Sequence, residues 1–153
     1  VRELFSEYYG AHCLDNTKPY EGISEMLAEL KRNGIGTGVV TNKDHSYSAK
    51  LVKDFFGDNI SVVRGREDGI PKKPDPYSVN YVMDRFKANK KDVLYVGDSN
   101  VDMETAINAG VDSCGVLWGF RTKKELLDSG AIYIASSSEE LLGIILQNKK
   151  DTL

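Results

Sequence analysis

Two carboxylates four residues apart form the pair whose type and spacing point most directly to chemistry. Asp98 follows residues 92–96, which are apolar after Asp92 and predict a buried strand, and Asp102 falls in the first turn of the next predicted helix. Both side chains can therefore face one point. Hard cations such as Mg²⁺ bind carboxylate oxygens and keep water and phosphate oxygens as their other ligands. The alternative is that Asp98 caps the helix and Asp102 favours its dipole, and the residues alone leave both interpretations open.

Two further stretches carry groups that could bind a phosphate. Thr41 and Asn42 come where a predicted strand, residues 35–40, ends and a helix is about to begin. Unpaired amides at a helix N-terminus attract anions, so a hydroxyl there suits a phosphate, although a simple helix cap is the alternative. Lys73 lies in a proline-rich loop that could hold its charge at a fixed point, and the alternative is a solvated turn.

The helices and strands predicted around these stretches indicate where the stretches lie in the fold. Strands alternate with helices from residue 23 to the end, which predicts an α/β protein with a parallel sheet and helices on both faces. Such sheets bind ligands at the carboxyl ends of their strands, where all three stretches fall. A hydroxyl, an ammonium group and paired carboxylates at one edge are the groups that phosphoryl transfer uses.

Composition and charge argue against several classes of protein. The 153 residues fit one domain, and 20 basic against 23 acidic residues leave a formal charge of -3, so no basic excess favours nucleic acid. The longest apolar run, residues 114–120, is far short of the roughly 20 residues of a membrane span. Two cysteines in unrelated contexts, Cys13 and Cys114, predict no disulfide framework. We expect a cytoplasmic protein that binds neither nucleic acid nor membrane.

The motifs in this order resemble those of the haloacid dehalogenase-like hydrolases, and within them the phosphoglycolate-phosphatase-like branch. The resemblance implies a Rossmann-like, three-layer α/β/α core and a Mg²⁺ cofactor. It implies that Thr41 and Lys73 are catalytic, that Thr41, Asn42 and Lys73 bind phosphate, and that Asp98 and Asp102 form the metal site. Residues 118–122 are similar to the C-terminal run of that branch.

One motif of the family has no counterpart in this sequence. The family's first motif, Asp-x-Asp followed by Gly-Thr, supplies the nucleophile and the general acid/base on the first, central strand. By resemblance, residues 1–18, with a predicted helix over 2–14, are the remnant of a helical cap and its hinge, and residues 19–153 are the hydrolase core without its first strand. We therefore expect a fragment that is inactive alone and needs the missing N-terminal segment of the same protein.

Two functions of different class remain open. The resemblance implies a Mg²⁺-dependent phosphoric monoester hydrolase, which acts through an aspartyl-phosphate on a small phosphorylated metabolite such as phosphoglycolate. The alternative is a non-catalytic or degenerate phosphate- or metal-binding module, for example a receiver-type signalling domain. Receiver domains carry their acidic residues first, whereas here Thr41 and Lys73 precede Asp98. This order favours the hydrolase, while the substrate, which the cap largely determines in this family, is not predicted.

Overall fold

A computed structural model describes residues 17–151 of the chain, and the side chains of residues 17–148. The predicted helix over residues 2–14, and with it most of the predicted cap remnant, lies outside the described residues. The chain divides after Glu67 into two compact units. None of the described helices is long and apolar enough to cross a lipid bilayer.

The described part of the first unit, residues 17–67, holds two parallel strands and two helices. Its order is α1 (Ile23–Arg32), β1 (Gly38–Asp44), α2 (His45–Phe56), a 3₁₀ turn (Gly57–Asn59) and β2 (Val62–Arg66). Helix α1 forms because apolar residues at helical spacing make one buried face, namely Met26, Leu27 and Leu30. Strands β1 and β2 are parallel, with Val39 opposite Val63. The connection between them is therefore a strand–helix–strand crossover.

The second unit repeats this alternation around three parallel strands in the order β3-β4-β5. The register places Gly97 of β3 beside Gly115 of β4. Met103 and Leu126 are fully buried in its core. The elements are α3 (Tyr77–Phe86), a 3₁₀ turn (Lys90–Asp92), β3 (Leu94–Gly97), α4 (Asn100–Ala109), β4 (Asp112–Val116), α5 (Lys123–Asp128), β5 (Tyr133–Ala135) and α6 (Ser138–Asp151).

The predicted α/β class with parallel strands is confirmed, and local capping contacts set the starts of several helices. Asp44 caps α2 by accepting a hydrogen bond from Ser46 N at 3.0 Å. Helix α4 begins directly after its N-cap Ser99, and Thr122 opens α5 with a capping box.

The end of the first strand was predicted wrongly. The sequence predicts a strand over residues 35–40 and a loop beginning at Thr41, but β1 begins at Gly38 and continues to Asp44. The reason is the ladder to β2, which is irregular after Val40 and resumes where Asp44 pairs with Arg66. Thr41 and Asn42 consequently lie within this irregular stretch of strand rather than in a loop.

Candidate functional site

The turn between β3 and α4 holds both predicted carboxylates. Ser99 is the N-cap of α4, and its side chain accepts a hydrogen bond from Asp102 N at 3.3 Å. The Asp102 side chain in turn accepts from the Ser99 main chain, so the two residues form a capping box. This reciprocal pair fixes the first turn of the helix and brings Asp102 back over the end of β3.

The Asp102 carboxylate accepts five hydrogen bonds. Its Oδ1 accepts from Lys73 Nζ at 2.6 Å and from the Tyr95 hydroxyl at 3.3 Å. Its Oδ2 accepts from the main-chain N–H groups of Asp98 and Ser99, each at 3.2 Å, and from Ser99 Oγ at 2.7 Å. A carboxylate has about four lone-pair positions. The described contacts therefore use the full accepting capacity of Asp102.

These contacts keep Asp102 ionised although it is buried. Burial raises the pKa of the carboxyl, but the Lys73 charge and the hydrogen bonds from Lys73, Ser99 and the Asp98 main chain outweigh it, so the pKa lies below its ordinary value. Burial, and then the Asp102 charge, raise the pKa of Tyr95 far above its ordinary value. Tyr95 therefore stays a neutral donor at physiological pH.

The loop before α3 positions Lys73. Asp75 N donates to Lys72 O at 2.9 Å to close a turn, and Asn108 of α4 donates to Pro74 O at 2.9 Å. The Lys73 side chain is only 14% exposed and forms an ion pair with Asp102. This observation excludes the solvated-turn interpretation, because the charge is held at one place against α4.

Asp98 differs from Asp102 in how its oxygens are used. Asp98 is partly buried, and its Oδ2 accepts a hydrogen bond from Phe120 N at 3.1 Å. Among residues 17–148, no hydrogen bond engages its Oδ1. One carboxylate oxygen at the end of β3 is therefore available to a ligand.

Thr41 and Asn42 lie in the first unit. Both are partly buried, and Thr41 Oγ1 accepts a hydrogen bond from Lys43 N at 3.1 Å, which stabilises the irregular end of β1. The second unit brings together Lys73, Asp98 and Asp102. That Thr41 and Asn42 join them at one site stays a prediction.

Sequence reasoning missed Tyr95, Ser99 and the main chain of Phe120. Ser99 had a signal, because its spacing to Asp102 fits a capping box. Tyr95 had none, since an apolar strand does not reveal which side chain reaches a carboxylate. The Phe120 contact joins residues 22 apart in sequence, and only the pairing of β3 with β4 brings them together.

The carboxylate oxygens of this turn can be compared with the ligands that a Mg²⁺ ion requires. No group of three or more His, Cys, Asp or Glu side chains gathers among the described residues. Mg²⁺, however, is often bound by one or two carboxylates and completed by water and phosphate. Asp98 Oδ1 fits that requirement, and Asp102 lies beside it with its oxygens occupied by protein donors. The prediction that both residues ligate a metal stays untested.

Comparison with known proteins identifies the family. Residues 1–116 match the haloacid dehalogenase-like hydrolases. The chain belongs to this family. The chain is 30% identical over 150 residues to a phosphoglycolate phosphatase of Vibrio parahaemolyticus, covering 94% of the chain and 64% of that protein. It is 32% identical over 143 residues to a phosphoglycolate phosphatase of Salmonella typhi, covering 93% of the chain and 57% of that protein.

Solved structures agree with this assignment. The chain superposes on the crystal structure of a predicted phosphatase from Clostridium acetobutylicum with a TM-score of 0.86 and 28% identity, covering 95% of this chain and 68% of that one. The resemblance to the family and to its phosphoglycolate-phosphatase-like branch is thus confirmed. The chain spans just under two thirds of the Vibrio protein's length.

Proposed function

We propose that this hydrolase forms the phosphate- and metal-binding part of a Mg²⁺-dependent phosphatase that acts on a small phosphomonoester. The observation that carries the proposal is the contact of Lys73 Nζ with Asp102 Oδ1, in the same turn that leaves Asp98 Oδ1 available. A fixed ammonium group and a free carboxylate oxygen suit a phosphoryl group and a cation. The relatives named phosphoglycolate phosphatase support a phosphoglycolate-like substrate.

Each residue has a stated part in the proposed reaction. Lys73, oriented by Asp102, neutralises charge on the phosphoryl oxygens, and the Thr41 hydroxyl and Asn42 hydrogen-bond them. Asp98 would hold Mg²⁺, with Asp102 supporting that turn, and the bound ion would supply further neutralisation of charge. By family resemblance, an aspartate outside this sequence attacks phosphorus as the ester P–O bond breaks, and water then hydrolyses the acyl phosphate.

The proposal includes a strand that this sequence does not supply. Among the described strands, β1 pairs only with β2, and β3 pairs only with β4, so each has one edge without a partner. Unpaired parallel edges of this kind are normally covered, because their N–H and C=O groups need partners. This supports residues 19–153 as a hydrolase core that a strand carrying the nucleophile completes, with residues 1–18 as the end of a cap.

The test is hydrolysis of p-nitrophenyl phosphate with Mg²⁺ by the native protein, including any residues that precede this sequence. We expect Asp98→Asn to lower turnover by about 100-fold or more, because several kcal/mol of charge stabilisation depend on the site. Asp112→Asn is the matched control, since Asp112 is an exposed aspartate at the start of β4. Turnover by Asp98→Asn equal to that of the control would contradict the proposal. Binding of phosphate or Mg²⁺ without turnover would favour the non-catalytic module.

A further inference from the structure

The segment that follows β4 lies against Asp98. Phe120 N donates to Asp98 Oδ2 at 3.1 Å, while the Phe120 side chain is 87% exposed. The ring therefore contributes little to packing, and the segment acts on Asp98 through its main chain. The contact joins the loops after two neighbouring parallel strands, β3 and β4.

Gly119 leaves no space for a side chain at this contact. A Cβ atom placed on Gly119 would lie 2.1 Å from Asp98 Oδ2, 2.3 Å from its Cβ and 2.6 Å from its Cγ. These separations are all far inside van der Waals contact, and all three atoms belong to one carboxylate side chain. Gly119 is thus required for the close approach of the main chain to Asp98.

The two contacts together restrict the Asp98 carboxylate. The Phe120 amide holds Oδ2, the Gly119 main chain closes one side, and Oδ1 has no hydrogen bond among the described residues. One oxygen of this carboxylate is held by the protein and the other can accept a ligand. Such a carboxylate binds a cation with less reorganisation than one that is free to rotate.

We propose that Gly119 and the Phe120 amide are positioning residues, which hold Asp98 Oδ2 so that Oδ1 is left for a divalent cation. The inference rests on the proposed function, because it assigns a purpose to these residues only if Asp98 binds the ion. It adds to that function a second segment, residues 119–120, on which metal affinity depends.

The experiment is a titration of the native protein, including any residues that precede this sequence, with Mn²⁺ followed by electron paramagnetic resonance. This readout is independent of turnover. Gly119→Ala should weaken Mn²⁺ binding by about 10- to 100-fold, the usual effect of disturbing a group that orients a metal ligand. Phe120→Pro, which removes the N–H donor without adding a Cβ at residue 119, should weaken it in the same direction. Gly143→Ala is the control, because a Cβ placed there meets no atom within 4 Å among the described residues apart from its neighbours and the main chain of its own helix.

Far-UV circular dichroism and thermal unfolding show which variants are folded, and affinities are compared among those alone. If either folded variant binds Mn²⁺ as tightly as Gly143→Ala, the positioning role is overturned while the proposed function stands. If the unmodified protein and Asp98→Asn bind Mn²⁺ equally, the proposed metal site is overturned, and this inference with it. Weakened binding in the folded variants, with unchanged binding in the control, supports the inference.

Discussion

Removal of the Lys73 ammonium group is expected to destabilise the second unit strongly. Lys73 Nζ and Asp102 Oδ1 are 2.6 Å apart, and the two side chains are only 14% and 8% exposed. With an effective dielectric constant of about 20, the Coulomb attraction at this distance is roughly 6 kcal/mol before desolvation is subtracted. Breaking a buried pair by removing one partner typically costs about 3–5 kcal/mol, because the other charge is left buried. We expect about 3 kcal/mol for Lys73→Met, since Asp102 keeps four other hydrogen bonds.

A double-mutant cycle isolates the interaction from the other consequences of each change. Asp102→Asn also places an amide beside the Ser99 donors, but that effect is present in both the single and the double variant and cancels. The double variant Lys73→Met/Asp102→Asn should therefore be less destabilised than the sum of the single variants, by about 2–3 kcal/mol. Urea unfolding is the assay, followed by the fluorescence of Trp118, the single tryptophan, which lies in the second unit.

A surface ion pair provides the matched control. Lys124 and Asp128 approach to 2.5 Å, close to the separation in the buried pair, but their side chains are 84% and 62% exposed. The same cycle on this pair should give a coupling of about 0.5 kcal/mol or less. If the Lys73–Asp102 coupling is equally small, burial does not strengthen the pair, and the reasoning that makes Asp102 the group that holds Lys73 is refuted.

Three other predictions concern packing, pH dependence and burial in the second unit. Gly97→Ala should lower the free energy of unfolding by about 1–3 kcal/mol relative to Gly143→Ala in urea titrations, because its Cβ would lie 2.2 Å from Asp102 Cβ. The lowered pKa of Asp102 contributes stability that is present above the ordinary carboxyl pKa of 3.8 and is lost as pH falls through the lower native value. The urea midpoint of Asp102→Asn should therefore fall less steeply below about pH 4 than the midpoint of the unmodified protein. Burial, and then Glu140, raise the pKa of the Cys114 thiol to about 11. In a Cys13→Ser background, iodoacetamide at pH 8 should therefore label Cys114 far more slowly in the folded protein than in urea. Equal labelling rates would contradict the burial of this thiol.

The alternation of strands and helices was predictable because it depends on local patterns. Apolar spacing marks α1, and Asp44 and Thr122 cap helices through hydrogen bonds within three residues. The extent of β1 was not predictable, because Asp44 joins the strand through Arg66, which is 22 residues away. Long-range pairing of this kind leaves no mark in a local window.

The types of residue in the candidate site were predictable from the sequence, but the contacts that each of them makes were not. The order of Lys73, Asp98 and Asp102 indicated a site, and the structure brings these three residues into one turn and its neighbouring loop. The sequence does not show that Tyr95 and the main chain of Phe120 donate to the two carboxylates. Those contacts depend on strand pairing and on the close approach that Gly119 permits, which are properties of the folded chain.

The two aspartates have different capacities to bind a ligand, although they are four residues apart in one turn. Asp102 lies where the main-chain N–H groups of the turn converge, and a carboxylate that accepts five hydrogen bonds must lose some of them before it can bind a metal. Asp98 accepts one from residues 17–148, so a cation at its Oδ1 displaces no donor from that part of the chain. Binding at Asp98 therefore needs less reorganisation, and Asp102 is better suited to hold Lys73.

The neutral Tyr95 strengthens this difference between the two aspartates, because it donates to Asp102 without adding a second positive charge that would compete with Lys73. The two carboxylates thus differ because the capping box engages Asp102, whereas Asp98 Oδ1 accepts no hydrogen bond from the described residues.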